Sequence, residues 1–246
     1  MRTKGNLTPT EEDLLRTQFV DLSAIHIEYL KYAPAYAIKE AQEAIARVSE
    51  LQSQGVLRTG IYYLVLVDLV GSTEFTATHG NKAAADRIRL FVTSSFNGLN
   101  NASLKNIGLF VKEIGDAVLF VFSHFTDVLS WLHYFRAFLK IFSQSSKEPY
   151  VVRTCIHLGE VSLDGVNPLS LGVSQTFKME KAVKGGDVVL TYPAYVVAWP
   201  SLARATRAFR KYGTVELDGF PNPVDLYELK LFDDNDLERM VLESRK

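Results

Sequence analysis

Residues 62–73 read YYLVLVDLVGST, a run of strand-forming apolar residues that ends at Asp68. This pattern predicts a buried β-strand followed by a carboxylate. A second stretch, residues 109–122 (LFVKEIGDAVLFVF), places Asp116 between two strand-like runs. A buried carboxylate is costly unless it is paired, and a divalent metal ion is a favourable partner for it. The two stretches therefore indicate a metal site suited to phosphate chemistry.

The composition excludes several classes of protein. The chain has 246 residues, a formal net charge of −1 and one cysteine, Cys155. A nearly neutral charge argues against binding to nucleic acid or to an anionic membrane, and a single cysteine excludes an internal disulfide or a cysteine-rich zinc site. No apolar run reaches the roughly 20 residues that span a bilayer. We therefore expect a soluble, cytoplasmic protein without a membrane span and without a nucleic-acid partner.

The middle of the chain alternates strand and helix patterns. Successive segments are predicted as strand, helix, a hairpin of two strands, helix and strand, at residues 61–70, 74–101, 108–114, 117–123, 126–142 and 150–161. This β-α-β-β-α-β order predicts an α+β fold of ferredoxin-like layout, with helices on one face of an antiparallel sheet. Beyond it we expect a helix near 173–183, a strand at 188–191, a helix over 194–211, and two strands near 215 and 224–229.

The first part of the chain has a different pattern. Residues 1–56 carry apolar side chains at helical spacing and predict an N-terminal helical arm for packing or dimerisation, or alternatively a signal-sensing module. Residues 57–232 are expected to form one catalytic domain, and residues 233–246 a C-terminal tail.

The first strand and the hairpin are expected to be neighbours in the sheet, which would bring Asp68 and Asp116 together. Two carboxylates at one end of a sheet can hold two divalent ions a few ångströms apart. Gly71, Ser72 and Thr73 lead directly into the first helix, so their N–H groups are suited to bind a triphosphate. Either aspartate alone can instead be a helix-start or turn residue, but together they favour the metal site.

Five stretches occur in the order and spacing of the class III nucleotidyl cyclase catalytic domain, and the chain resembles that family from about residue 62 to residue 230. They read DLVGST, VKEIGDAVLFVF, VRTCIHLGEV, VSQTFKMEKAVKGGDVVLT and LDGFPNPVDLYEL. The resemblance implies that Asp68, Asp116 and the Leu69 carbonyl bind two divalent cations, Mg²⁺ or Mn²⁺. It also implies that Arg153 contacts phosphate and that the Gly71 loop holds the triphosphate of a nucleoside triphosphate substrate.

The family resemblance further implies a head-to-tail homodimer, in which each active site takes metals from one chain and other residues from its partner. Lys112 matches a base-reading lysine. The remaining partner-chain positions have changed: Leu171 replaces a base-reading aspartate, Ser174 an asparagine and Lys178 an arginine. Ser174 and Lys178 are spaced to share one helical face, where they can still serve as altered catalytic groups.

Leu171 bears on the choice of base. Without the aspartate, an exocyclic amine would lack an acceptor, whereas uracil offers carbonyl oxygens to Lys112 and has no such amine. By strand alternation, Leu66 and Tyr62 lie on the face of Asp68 and narrow the pocket. This pattern resembles the bacterial pyrimidine cyclases of the Pycsar anti-phage systems, with UTP favoured and CTP next. The alternatives are an adenylate or guanylate cyclase, and a degenerate nucleotide-binding sensor.

Asp218 and His157 are two further polar positions for which the sequence predicts no catalytic role. Asp218 stands where the family usually has a phosphate-binding lysine, and it is predicted to be a turn residue. Lys184, Arg210 and Lys211 are candidates to replace the missing positive charge. His157, inside a predicted strand, is expected to be a packed or hydrogen-bonded residue.

Overall fold

The structure of the chain is a computed structural model that describes residues 60–102, 108–146, 148–164, 167–202, 208–231 and 240. The predicted N-terminal arm lies outside these residues, and so does the predicted C-terminal tail apart from Met240. The proposed domain boundaries therefore stay predictions.

The described residues form eight strands, four α-helices and one 3₁₀ helix. In chain order they are β1 (Gly60–Leu69), α1 (Ser72–Asn101), β2 (Gly108–Ile114), β3 (Ala117–Phe122), α2 (Phe125–Ser145), β4 (Val152–Asp164), β5 (Asn167–Leu169), α3 (Leu171–Glu180), β6 (Val188–Thr191), α4 (Tyr192–Ala198), the 3₁₀ helix (Trp199–Leu202), β7 (Phe209–Val215) and β8 (Val224–Leu229). The predicted β-α-β-β-α-β order of the first six elements is confirmed. The short strand β5 was not predicted.

The main sheet has the strand order β2-β3-β1-β4-β6-β8-β7, and β5 pairs with β4. Strand β1 is antiparallel to both β3 and β4, so the predicted neighbouring of the first strand and the hairpin is confirmed. The sheet is mixed rather than wholly antiparallel, because β4 and β6 run parallel. The first four strands nevertheless keep the ferredoxin-like arrangement.

Helices cover both faces of the sheet. One hydrophobic cluster joins Tyr63, Val65 and Val67 of β1 to side chains of α1, α2 and α4. The other cluster joins Leu64 and Leu66 to Met179 of α3 and to residues of β3, β4 and β6. The two helices of the predicted ferredoxin-like layout, α1 and α2, lie on one face as predicted, whereas α3 lies on the opposite face. A strand that is apolar at nearly every position must be buried on both sides.

The long helix predicted from Ala194 to Lys211 is wrong. Helix α4 ends at Ala198 and is followed by a 3₁₀ helix, while Phe209–Val215 form a strand that pairs with β8. Pairing with β8 completes the edge of the sheet, and this tertiary interaction overrides the local helical pattern.

Two of the candidate phosphate-binding residues, Arg210 and Lys211, lie in β7. Arg210 Nε is 2.6 Å from Glu228 Oε2, and Lys211 Nζ is 3.1 Å from Asp225 Oδ1, both acids belonging to β8. The third candidate, Lys184, is exposed, and its backbone N–H is bonded to a tyrosine hydroxyl. A phosphate-binding role for any of the three residues therefore stays a prediction.

Candidate active site

The fold brings Asp68 and Asp116 together at one end of the sheet. Asp68 lies in β1 opposite Ala117, and the N–H of Leu69 donates a 3.0 Å hydrogen bond to the Asp116 carbonyl oxygen. Gly115 makes the tight hairpin turn possible, because its φ of 63° is a left-handed conformation that suits glycine. The side chain of Asp68 is largely buried in the sheet, with 8% of the residue exposed.

Arg153 forms a bridge between two carboxylates. It lies directly opposite Asp68 on β4, and its Nε donates a hydrogen bond of 2.8 Å to Asp68 Oδ2. Its Nη2 lies 2.6 Å from Oε1 of Glu180, the last residue of α3. Glu180 was not among the predicted site residues, since a glutamate at the end of an amphipathic helix is usually a surface residue. Only the packing of α3 on the sheet reveals its contact.

The electrostatics of the cluster reflect burial as well as charge. Burial raises the pKa of Asp68, and the nearby Asp116 adds to this, while the Arg153 hydrogen bond lowers it. Burial likewise raises the pKa of Glu180, and the Asp68 charge adds to the rise. Burial alone lowers the pKa of Arg153, but its bond to Asp68 reverses this, and the net pKa is raised. Arg153 is therefore a permanent cation among three acids.

The predicted triphosphate loop begins helix α1. Gly71 has a φ of 80° and is the N-cap, and no side chain caps the helix. The first N–H groups of a helix have no intrahelical partner, so this loop offers them to an anion. The Ser72 hydroxyl donates a 2.8 Å hydrogen bond to the Leu69 carbonyl, the predicted cation ligand. A carbonyl oxygen has a second lone pair, so this bond leaves room for a cation.

The donor chemistry fits a divalent cation whose coordination shell is completed by water or by substrate. Among the described residues, no group of three or more His, Cys, Asp or Glu side chains is placed to hold a metal alone. Asp68 and Asp116 supply two carboxylates, and Leu69 supplies a carbonyl. Mg²⁺ prefers such oxygen ligands, and it commonly takes only one or two carboxylates while water and substrate phosphates complete its shell.

The three changed positions, which the resemblance assigns to a partner chain, lie on one face of α3. Leu171 is 73% exposed, Ser174 is exposed and Lys178 is partly exposed. They follow the i, i+3, i+7 spacing of a single helical stripe. The opposite stripe of α3 is buried against the sheet and consists of Gly172, Thr176 and Met179. We refer to Leu171, Ser174 and Lys178 as the exposed stripe.

Lys178 contacts the connection between β7 and β8. Its ammonium group donates a hydrogen bond to the Asp218 carbonyl, lies 3.8 Å from the Asp218 carboxylate and is 5.6 Å from the centre of the Phe220 ring. Asp218 lies in a turn, as predicted. A groove of about 380 Å³ adjoins this contact and is lined by Gln175, Tyr192, Pro193, Phe220, Pro221, Asn222, Pro223, Val224 and Asp225.

The other residues that were predicted to contact the base lie on strands β1 and β2. Lys112 lies in β2, opposite Leu119. Tyr62 and Leu66 are 9% and 1% exposed and belong to the hydrophobic cluster beneath α3. Both face the same side of β1 as Asp68, as their alternation predicts. Within the described part of one chain Tyr62 and Leu66 belong to the packed core, and the part of all three residues in base recognition stays a prediction.

No protein-family model matches the sequence, and no curated protein matches it either. Solved structures do share its fold. The adenylyl cyclase CyaB from P. aeruginosa matches with a TM-score of 0.55 and 19% identity, over 72% of this chain and 98% of that one. The adenylate/guanylate cyclase/hydrolase from Silicibacter pomeroyi matches with a TM-score of 0.58 and 16% identity, over 70% and 98%.

The guanylyl cyclase Cya2 matches with a TM-score of 0.52 and 18% identity, over 70% of this chain and 92% of that one. These neighbours are class III adenylyl and guanylyl cyclase domains, so the chain has the fold of that class. At such low identity the likeness concerns the fold alone. Separately, the described helices include none that is both long and apolar enough to cross a membrane.

Proposed function

We propose that the chain is a nucleotidyl cyclase, which converts a ribonucleoside triphosphate to the 3′,5′-cyclic monophosphate and pyrophosphate. The observation that carries this proposal is the convergence of Asp68, Asp116 and Arg153 at one end of a sheet with the class III cyclase fold. Such a site provides two carboxylates for cations and a guanidinium for phosphate, which phosphoryl transfer requires.

The residues of this end of the sheet have separate roles. Asp68, Asp116 and the Leu69 carbonyl would hold Mg²⁺ or Mn²⁺. When bound, the cations lower the pKa of the ribose 3′-hydroxyl and neutralise charge on the leaving pyrophosphate. The 3′-hydroxyl gives its proton to solvent, and its oxygen forms a bond to the α-phosphorus as the bond between that phosphorus and the oxygen shared with the β-phosphate breaks, so that pyrophosphate leaves. The N–H groups at the start of α1 hold the triphosphate in line for this displacement.

The exposed stripe supports a site shared between two chains. Leu171, Ser174 and Lys178 point away from their own sheet, and a second copy arranged head to tail would present them to the bound nucleotide. Lys178 would place a positive charge on the α-phosphate, although it lacks the planar fork of arginine. Ser174 would hydrogen bond the ribose. We therefore propose a homodimer with two equivalent interfacial sites.

We further propose UTP as the favoured substrate and CTP as the next. Leu171 offers no acceptor for an exocyclic amine, while Lys112 can donate to a uracil carbonyl. Leu66 and Tyr62 would limit the size of the base. A cyclic pyrimidine nucleotide made by this chain would serve as a second messenger in bacterial anti-phage signalling, as the resemblance to the Pycsar cyclases implies.

Specific observations favour two other functions. The names of the structural neighbours describe adenylyl and guanylyl cyclases, which act on purine nucleotides. One of them, the guanylate cyclase domain from Catenaria anguillulae, is 15% identical to this chain and was crystallised with GTP. A purine cyclase is therefore the second candidate. The third is a nucleotide sensor without turnover, because Lys178 and Arg153 are both engaged by acids of their own chain.

Incubation of the purified protein with Mn²⁺ and each of the four ribonucleoside triphosphates, followed by mass spectrometry, separates these functions. We expect cyclic UMP as the main product and none in the presence of EDTA. Cyclic AMP or cyclic GMP as the main product would contradict the pyrimidine assignment. Nucleotide binding without any cyclic product would favour the sensor.

A further inference from the structure

Glu180 is an acid that the proposed mechanism does not use. It ends helix α3, only two residues beyond Lys178, yet it reaches across to the strand that carries Arg153. Its side chain is 20% exposed and lies 2.6 Å from Arg153 Nη2. An ion pair that is mostly withdrawn from water is less screened than a surface pair, so this contact constrains the guanidinium.

The guanidinium of Arg153 contacts two acids, Asp68 and Glu180, through different nitrogen atoms. Arg153 presents Nε to Asp68 and Nη2 to Glu180, at 2.8 and 2.6 Å. Arginine otherwise tends to engage a single carboxylate with two parallel N–H donors. A bidentate contact would occupy both oxygens of Asp68, whereas the observed contact uses only Oδ2.

We propose that Glu180 is a positioning residue that prevents Arg153 from closing on Asp68 and so leaves this carboxylate available to a cation. The inference rests on the proposed function, because it takes Asp68 as a cation ligand. With all groups ionised, Asp68, Asp116 and Glu180 together with Arg153 carry a net charge of −2, which one divalent cation balances. Once a metal cation is bound to Asp68, Glu180 still holds Nη2 of Arg153 and keeps this side chain beside the site. A phosphate oxygen can then accept a hydrogen bond from Nε of Arg153.

The contact also joins the two halves of the proposed dimeric enzyme. In the proposed dimer, helix α3 would present the exposed stripe to the partner's site, while its last residue, Glu180, holds Arg153 of its own chain. A purely structural role is the competing explanation, in which Glu180 only fastens the end of α3 to the sheet. Such a role would affect stability but not cation affinity.

The first test is a titration of nucleotide-free protein with Mn²⁺, in which electron paramagnetic resonance measures how much Mn²⁺ is bound. Removal of a residue that orients metal ligands typically costs about 10- to 100-fold in metal affinity. We expect a loss in that range for Glu180→Gln and none for the matched control Glu160→Gln, an exposed glutamate on β4. Wild-type affinity in a folded Glu180→Gln variant would overturn the proposal.

A double-mutant cycle tests whether Glu180 acts through Arg153. In an Arg153→Gln background, Glu180→Gln should change Mn²⁺ affinity little, because the competing guanidinium is gone. An undiminished loss there would show a direct effect of the Glu180 charge and would refute the positioning role. Should Glu180→Gln fail to fold, Glu180→Asp replaces it: the shorter side chain should weaken Mn²⁺ binding several-fold, and wild-type affinity would overturn the proposal.

The outcomes also separate this inference from the proposed function. The Mn²⁺ titration needs no nucleotide, and Asp116→Ala reports whether the signal comes from the predicted site. Wild-type protein that binds Mn²⁺ but forms no cyclic nucleotide would contradict only the cyclase proposal. If the wild-type protein forms cyclic nucleotide and the Glu180 variants bind Mn²⁺ as tightly as wild type does, only the positioning role is contradicted.

Discussion

The carboxylate end of β1 and the exposed stripe of α3 differ in how much of their surroundings one chain provides. Asp68 is 8% exposed and has a partner in Arg153, whereas Leu171 is 73% exposed. The first region is a pre-organised cluster of charges, and the second presents an unburied apolar side chain beside two polar ones. The difference supports a division of labour in which the cation site belongs to one chain and the base and α-phosphate contacts come from a second.

The largest effect is expected where the first region is broken. Asp116→Ala removes a cation ligand and should lower cyclic-nucleotide formation by about a thousandfold or more, since the cations contribute several kcal/mol of transition-state stabilisation. Product formation measured by mass spectrometry checks this. Asp86→Ala, which removes a surface acid paired with Arg89 on α1, should retain activity. Near-normal turnover in Asp116→Ala would refute the cation assignment.

Mixing two inactive variants sharpens the division between the regions. Asp116→Ala breaks the cation half and Lys178→Ala breaks the stripe, so each homodimer has two defective sites. A statistical mixture contains heterodimers with one intact site, and we expect about a quarter of wild-type activity to return. The measurement is the rate of product formation after co-expression and purification. No recovery from well-folded heterodimers would contradict the shared site.

A smaller effect is expected from changing the base preference of the stripe. Leu171→Asp supplies an acceptor for an exocyclic amine, and an unpaired amine costs about 1–3 kcal/mol. The ratio of kcat/KM for CTP over that for UTP should therefore rise roughly tenfold. Leu171→Ala is the control, because it removes the apolar bulk without adding an acceptor. An unchanged ratio in Leu171→Asp would place base recognition elsewhere.

The last prediction concerns stability rather than turnover, and it involves the support beneath α3. His157 is buried, which lowers its pKa to about 4, and its Nδ1 lies 3.0 Å from the Thr191 hydroxyl. A Cβ atom added to Gly172 of α3 would lie 3.0 Å from the His157 ring, so the first turn of the helix packs directly on this side chain. The predicted packed or hydrogen-bonded state of His157 is confirmed.

The sign of the expected pH effect follows from this lowered pKa. Above about pH 6.5 both folded and unfolded chains keep this histidine neutral, and between pH 6.5 and 4 only the unfolded chain binds the proton. The free energy of unfolding should therefore fall by up to about 3 kcal/mol as the pH drops through that window. Urea denaturation should show a shallower pH dependence for His157→Gln, but not for the exposed control His124→Gln. Equal pH dependence in wild type and His157→Gln would contradict the assignment.

Local patterns were sufficient for the elements whose burial is uniform. Strand β1 and the hairpin were predicted within a residue or two, because long apolar runs around Asp68 and Asp116 leave few alternatives. The helix predicted from Ala194 to Lys211 was wrong beyond Ala198, whereas the strands predicted near residue 215 and at 224–229 are present. The local pattern of residues 209–211 did not indicate that they would pair with β8 at the edge of the sheet.

The pair of aspartates in the candidate site was predictable for a similar reason. A carboxylate after a buried strand needs a partner wherever the chain folds, so Asp68 and Asp116 were identifiable without coordinates. Glu180 was not, because its surroundings along the chain are those of an ordinary helix end.

The amino-acid sequence by itself determined the β-α-β-β-α-β order from β1 to β4, the pair of aspartates and the altered residues of α3, since each depends on residues close together in the chain. Only the tertiary structure decided that α3 packs on the face opposite α1 and α2, that Leu171 is left exposed, and that Arg153 is shared between Asp68 and Glu180. These features arise from contacts between residues far apart in the chain, whose burial and distance no local pattern specifies.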